Sequence, residues 1–256
     1  MHTKDQKIAV FDSGVGGISV LRELVKLMPQ EDYIYFGDSA NAPYGGRSTE
    51  QVQKLVLKAE DRLMARGVKA LVVACNTATA AAIDLLRETY PDTIIIGIEP
   101  ALKPAADRFP GGHVGIMAPR VTLREEKLAR QIEKFPDMTV DRIPAPGLVE
   151  LVEAGLGDSP RTEEFLRPVL EPYIGKLDAL VLGCTHFPFA SRVIGKIMGE
   201  KTVLLDGSQG TARQTFHCLQ RENLLKSGKG SVQMENSLRE DKILQLSWKL
   251  LGEYGG

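Results

Sequence analysis

Leu71-Val72-Val73-Ala74-Cys75-Asn76-Thr77 and Leu180-Val181-Leu182-Gly183-Cys184-Thr185-His186 decide how this chain folds. Each opens with a short unbroken apolar run, the pattern of a strand buried on both faces of a parallel sheet. Each leads into a segment of helical character, Ala78–Tyr90 in one case and Phe189–Met198 in the other. A side chain at the carboxyl end of such a strand faces the crevice where open α/β sheets bind ligands. A thiol placed there beside a helix N-terminus has its thiolate favoured by the helix dipole. Two such thiols can take a proton from one face of a small molecule and return one to the other.

Working outward, strand and helix patterns alternate almost throughout. Before Cys75 come strand Ile8–Phe11, helix Val15–Met28, strand Tyr33–Phe36 and an amphipathic helix at Thr49–Arg66. An apolar strand at Thr93–Ile98 follows, and Glu99-Pro100 then breaks the pattern, because a residue before proline is pushed out of helical geometry. The second series runs through strand His113–Met117, helix Val121–Lys134, strand Met138–Ile143 and helices near Gly147–Ala154 and Thr162–Ile174. Beyond Cys184 lie strand Thr202–Leu205, a helix from Gly210, a weak strand at Ser231–Met234 and an amphipathic helix at Asp241–Leu251. Segments Arg221–Gly230 and Gly252–Gly256 read as loop and fraying end. Alternation of this kind implies parallel sheets with right-handed crossovers. The expected architecture is α/β, with two similar domains, residues 1–98 plus 210–256 and residues 99–209, and the active site in the cleft between them.

The 256 residues carry 32 Lys+Arg against 33 Asp+Glu, so no charge excess points to nucleic acid or a membrane surface. No apolar run reaches the roughly 20 residues a membrane helix needs, and the N-terminus shows no signal-peptide core. Three cysteines are an odd and sparse set, which suits reduced thiols in a cytoplasm rather than a disulfide frame.

Phe11-Asp12-Ser13-Gly14-Val15-Gly16-Gly17 closes the first strand with three glycines, which let the chain turn sharply. It matches no nucleotide loop: G-x-G-x-x-G is absent, and no lysine is present to neutralise phosphate. Asp12 is suited to accept a hydrogen bond from a thiol or an ammonium; the alternative is that Asp12 or Ser13 merely caps the next helix. Ala42-Pro43-Tyr44-Gly45-Gly46-Arg47-Ser48 reads as a tight turn with one phenol, and Ser48 as a helix cap. A buried cysteine is usually a small hydrophobe, but Cys75 and Cys184 both precede polar residues at strand ends. Zinc is disfavoured, since no C-x-x-C occurs and the four histidines are scattered. No arginine stands close enough behind either cysteine for a phosphatase loop. His186, two residues from Cys184, is placed to hold or exchange a proton with it. Glu153, at the end of an apolar helical stretch, reads alone as a solvated carboxylate, and Cys218 as packing.

Together these segments resemble the glutamate racemases, within the wider aspartate/glutamate racemase superfamily. The matching pieces are Phe-Asp-Ser-Gly-Val-Gly-Gly (11–17), Ala-Pro-Tyr-Gly (42–45), Ala-Cys-Asn-Thr-Ala (74–78), Val-Glu-Ala-Gly (152–155) and Leu-Gly-Cys-Thr-His-Phe-Pro (182–188). The resemblance implies two α/β domains and a racemase that needs no cofactor and no metal. It would interconvert L- and D-glutamate for peptidoglycan precursors, most often as a homodimer. It also implies that Cys184 deprotonates L-glutamate and Cys75 deprotonates D-glutamate. Asp12 would assist Cys75, and His186 with Glu153 would assist Cys184. Asp12, Ser13, Tyr44, Gly45, Asn76, Thr77, Thr185 and His186 would hold the substrate.

The chain departs from that family at Pro119, where a threonine is usual, at Ala145-Pro146, where a cysteine is frequent, and in the tail at Met234-Glu235-Asn236-Ser237. Three rivals stand beside this reading. An aspartate racemase tends to carry Glu where this chain has His186. A catalytically silent amino-acid-binding protein would share the fold. A pyridoxal phosphate enzyme would need a Schiff-base lysine and a phosphate cup, and neither pattern is present.

Overall fold

A computed structural model describes residues 2–120, 122–124 and 126–252. The chain divides into two compact units at Glu99/Pro100 and Gly207/Ser208, so the segment from Ser208 onward joins the first unit.

The first unit is built on five parallel strands, β1 (Ile8–Asp12), β2 (Asp32–Gly37), β3 (Ala70–Val73), β4 (Ile94–Gly97) and, late in the chain, β9 (Ser231–Asn236), in the order β4-β3-β1-β2-β9. Helices α2 (Thr49–Met64) and α3 (Asn76–Thr89) cover one face, where Phe11, Ile34, Phe36, Leu71 and Val73 share a core with Val56, Leu63 and Leu86. Helix α1 (Ile18–Leu27) packs with α9 (Ser208–Arg221) and α10 (Asp241–Gly252).

The second unit has four parallel strands, β5 (His113–Ala118), β6 (Thr139–Pro144), β7 (Ala179–Leu182) and β8 (Val203–Asp206), in the order β6-β5-β7-β8. Its helices are α4 (Leu102–Arg108), α5 (Glu126–Ile132), α6 (Leu148–Glu153), α7 (Pro160–Leu170) and α8 (Ser191–Met198). Leu180 and Leu182 lie in one core with Leu148, Leu166 and Ile194; Val181 lies in another with Leu102 and Leu128. Burial on both faces explains why Leu71–Val73 and Ala179–Leu182 are apolar without alternation. Among the described residues no helix is long and apolar enough to cross a membrane.

Chain order reverses direction between β1 and β3 in the first sheet, and between β5 and β7 in the second. Such a switch point leaves an opening beyond the carboxyl ends of the two strands. Register sets Phe11 beside Val73 and Met117 beside Leu182, so paired strands end level. Cys75 and Cys184 each lie two residues beyond the last residue of their strand, at the corresponding switch point.

Several elements differ from the sequence reading. Helix α4 has no counterpart there, although the stretch between Pro100 and His113 forms it despite Pro104. That proline falls in the first turn, where the missing N–H would have had no helical partner anyway. The expected helix Val121–Lys134 is a 3₁₀ turn at Thr122–Arg124 followed by α5; Val121 and Glu125 lie outside the described residues, as do 253–256 of the expected fraying end. The helix expected at Phe189–Met198 is a 3₁₀ turn, Phe187–Ala190, followed by α8. Pro188 occupies the start of that turn and has no N–H to donate. The weak strand at Ser231–Met234 is a full six-residue edge strand, polar because one side of it has no partner strand.

The tail is tied into the first unit by charge as well as by β9. Lys69 Nζ, fully buried, lies 2.6 Å from Glu31 Oε2 and donates to the carbonyls of Lys4 and Leu224. The backbone N–H of Lys226 donates to Glu31 Oε1 at 2.7 Å.

Candidate active site

In the first unit, β1 delivers Asp12 and Ser13, and β3 delivers Cys75. Neither Asp12 nor Ser13 caps α1, whose N-cap is Gly17 without a side-chain hydrogen bond. Asp12 Oδ1 instead accepts from the backbone N–H of Gly14 at 2.9 Å and from Ser13 Oγ at 3.4 Å. The Cys75 thiol donates to Ser13 Oγ at 3.4 Å, so the three side chains form a hydrogen-bonded row from thiol to carboxylate. All three are buried. Gly17 makes the arrangement possible: a Cβ there would come within 2.6 Å of Asp12 Cβ and 3.0 Å of Ala74 Cβ.

Cys75 is also the N-cap of α3, and its sulfur accepts from the backbone N–H of Ala78 at 3.4 Å. That contact, together with the helix dipole, favours the thiolate. Asn76 and Thr77 open α3, with Thr77 buried. The 3₁₀ turn Tyr44–Gly46 packs against α3 and carries Tyr44 and Gly45. Tyr44 is buried and tilted against the ring of Phe11, and its hydroxyl donates to Asp38 Oδ2 at 2.7 Å. Burial, reinforced by the neighbouring Asp38 carboxylate, holds the phenol well above its ordinary pKa, so it stays protonated. Ser48 does cap α2, in a reciprocal pair with Gln51.

In the second unit, β7 delivers Cys184, Thr185 and His186. His186 Nδ1 lies 3.7 Å from Cys184 Sγ, and His186 Nε2 lies 2.6 Å from Glu153 Oε1. Glu153 is the last residue of α6, which packs on the 3₁₀ turn following His186. His186 is 2% exposed and Thr185 3% exposed, so both belong to the interior lining rather than the surface. Burial opposes a charge on the imidazole, but hydrogen bonds and charge from Cys184 and Glu153 outweigh it and raise its pKa well above the ordinary value. Cys184 does not stand at an α-helix N-terminus, contrary to expectation, because α8 begins only at Ser191.

Asp38 escaped the sequence reading of the site, while Thr122 entered it only as the end of the segment in which Pro119 replaces a threonine. Asp38 follows β2 and binds both Tyr44 and Asn41; its signal was its position directly beyond a strand end. Thr122 is 4% exposed, and its hydroxyl oxygen meets no hydrogen-bond partner among the described residues. It lies just beyond β5, on the other side of the switch point from Cys184. Among the described residues, no group of three or more His, Cys, Asp or Glu is arranged to hold a metal ion. Cys218 is a partly buried helix residue whose sulfur accepts from Gln214.

Comparison with known proteins places these geometries in context. The model of a family described as Asp/Glu/Hydantoin racemase matches residues 8–215. The glutamate racemase of Clostridium acetobutylicum is 47% identical over 255 residues, 98% of this chain and 99% of that protein. A glutamate racemase from Thermus thermophilus, solved with β-chloro-D-alanine, is 35% identical with a TM-score of 0.84, covering 98% of this chain and 94% of the other. The Escherichia coli glutamate racemase, solved with L-glutamate and the activator UDP-MurNAc-ala, is 31% identical with a TM-score of 0.86, covering 98% and 96%.

Proposed function

Because this chain belongs to the Asp/Glu/hydantoin racemase family and is an amino-acid racemase, we propose that it interconverts L- and D-glutamate by proton transfer at the α-carbon between two cysteines. One observation carries the reading. In each sheet a cysteine stands at the switch point with its thiol linked to an acid–base partner: Cys75 to Asp12 through Ser13, and Cys184 to His186 and Glu153.

The chemistry follows from that pairing. Cys184 takes the α-proton of L-glutamate as thiolate, and Cys75 as thiol returns a proton to the opposite face. The reverse turnover exchanges the roles. An unperturbed thiol of pKa about 8.5 is only a few per cent ionised at pH 7, so each cysteine needs help in becoming thiolate. For Cys75 the help is the Ala78 N–H and the α3 dipole; for Cys184 it is the His186 imidazolium. Charge developing on the substrate carboxylate meets small polar groups: Ser13, Asn76, Thr77, Thr185, the Tyr44 phenol and the Gly45 backbone. One cysteine accepts the α-proton while the other donates one, and the neighbouring titrating side chains reset them after each pass, so the proposed reaction calls on no cofactor. Glutamate is the substrate chosen over aspartate because of His186 and the names of the glutamate racemases that the chain resembles. D-glutamate made in the cytoplasm would supply peptidoglycan precursors, and the working form is a homodimer.

Proton NMR in D₂O tests this directly. Loss of the α-proton signal from both glutamate enantiomers, with optical rotation decaying to zero, is expected. Exchange of aspartate alone would move the chain to the sister activity. No exchange from well-folded protein would leave a binding protein.

A further inference from the structure

Strand β2 carries two tyrosines on one face, Tyr33 and Tyr35, both almost wholly buried. Residues two apart on a strand point the same way. Their hydroxyls reach the two ends of one structural piece. Tyr33 donates to the carbonyls of Leu24 at 3.0 Å and Met28 at 2.9 Å, at the end of α1. Tyr35 donates to the carbonyl of Gly14 at 2.6 Å, in the loop that precedes α1.

Gly14 is not a neutral place to hold. Its N–H donates to Asp12 Oδ1, so its two neighbouring peptide groups are fixed from opposite sides, one by Asp12 and one by Tyr35. The end of β2 closes on the same carbonyl: a Cβ on Gly37 would lie 2.5 Å from Gly14 O. The N–H of Asp38 then donates to the Asp12 carbonyl at 2.9 Å. Ser13, between these fixed points, receives the Cys75 thiol hydrogen bond and passes one on to Asp12. A shift of Gly14 by a few tenths of an ångström would be felt at Ser13 and Asp12 at once, since contacts at 3.4 Å have little slack.

We propose that Tyr35 is a positioning residue for the racemase reaction, its hydroxyl holding Gly14 so that Asp12 and Ser13 stay aligned on Cys75. Tyr35 acts through the loop and touches no reacting atom. The proposal rests on the functional reading above, in which Cys75 is one of the two bases.

Tyr35→Phe removes the hydroxyl at constant ring volume, and Tyr33→Phe does the same at the far end of α1. The second variant therefore reports what loss of a buried tyrosine hydroxyl does to folding alone. With Tyr35→Phe, kcat should fall about tenfold with KM changed less than about twofold, the worth of one buried hydrogen bond. Tyr33→Phe should lower the melting temperature and leave kcat in place. A second readout is the pH dependence of iodoacetamide alkylation of Cys75, in chains whose Cys184 and Cys218 are replaced by serine. That profile should be displaced by about half a pH unit or more in Tyr35→Phe, and should superpose on the unaltered profile in Tyr33→Phe. Unchanged kcat and an unmoved profile in Tyr35→Phe, while the unaltered chain racemises glutamate, would overturn the proposal alone. Equal effects of the two variants would overturn it too, by showing general loosening. Failure of the unaltered chain to racemise glutamate would overturn the functional reading, and the positioning role of Tyr35 with it.

Discussion

Cys75 and Cys184 occupy the same station in two parallel sheets, yet their surroundings do different work. Cys75 caps a helix of 14 residues and is backed by a carboxylate at one remove, through a serine. Cys184 has no α-helix directly behind it and is backed by an imidazole that a second carboxylate orients. On the proposed mechanism one thiol would draw on fixed backbone dipoles and the other on a neighbouring imidazole. Symmetric chemistry at a stereogenic carbon would then not require symmetric sites, only that each base be restored to its working protonation state after each pass.

The largest effect should come from the two sulfurs. Cys75→Ser and Cys184→Ser should each lower kcat by about a thousandfold or more, because a hydroxyl is far too weakly acidic to replace a thiol in proton transfer. Melting temperatures should move little, since the replacement is nearly isosteric. Near-normal turnover in either variant would break the comparison at its root, leaving one cysteine as a packing residue.

Much of this was legible in the strands. Leu71–Val73 and Ala179–Leu182 are apolar because both sheet faces are covered, and that marks them as interior strands with a cysteine beyond the end of each. The partners were less legible. Glu153 lies 33 residues before His186 in sequence, so only folding joins them at 2.6 Å; from sequence the pairing rested on resemblance. Asp38 meets Tyr44, and Tyr35 meets the Gly14 carbonyl, through hydrogen bonds that no local pattern announces. Proline marks two of the three misread helices: Pro188 turns the chain behind Cys184 into a 3₁₀ segment, while Pro104 sits harmlessly in the first turn of α4.

Next in size come the residues behind the sulfurs. His186→Asn should lower kcat about a hundredfold, because the imidazole faces Cys184 directly, while Glu153→Gln should cost about tenfold, because it acts through the ring. Ser13→Ala should also cost about tenfold, by cutting the row between Cys75 and Asp12. Steady-state kinetics on the three variants decides the matter. Equal losses in Glu153→Gln and His186→Asn would mean the carboxylate holds substrate rather than the imidazole.

The smallest effect concerns stability, and it separates the two units by pH. Glu60 on α2 is fully buried, and neither carboxyl oxygen meets a hydrogen-bond partner among the described residues. Burial, and then the adjacent Asp61, raises its pKa well above 4.5. Tyr90, which donates to Asp61, brings no positive charge to offset this. His186 is raised as well, above 6.5, but by partners that overcome burial. Both groups hold a proton in the folded chain that the unfolded chain releases, so both make stability fall as pH rises, though in different windows. Glu60 costs nothing below about pH 4.5 and then up to about 1.4 kcal/mol per pH unit until its folded pKa is passed. The contribution of His186 is whole below about pH 6.5 and fades only as pH climbs through its own folded pKa. Glu60→Gln carries no titrating proton, so its melting temperature should gain on the unaltered chain from about pH 5 upward until the folded pKa of Glu60 is passed. The deficit of His186→Asn should instead hold constant up to about pH 6.5 and shrink above it. A flat difference for Glu60→Gln across that range would mean the carboxyl finds a partner or water in solution, and α2 would then carry no buried, proton-dependent cost.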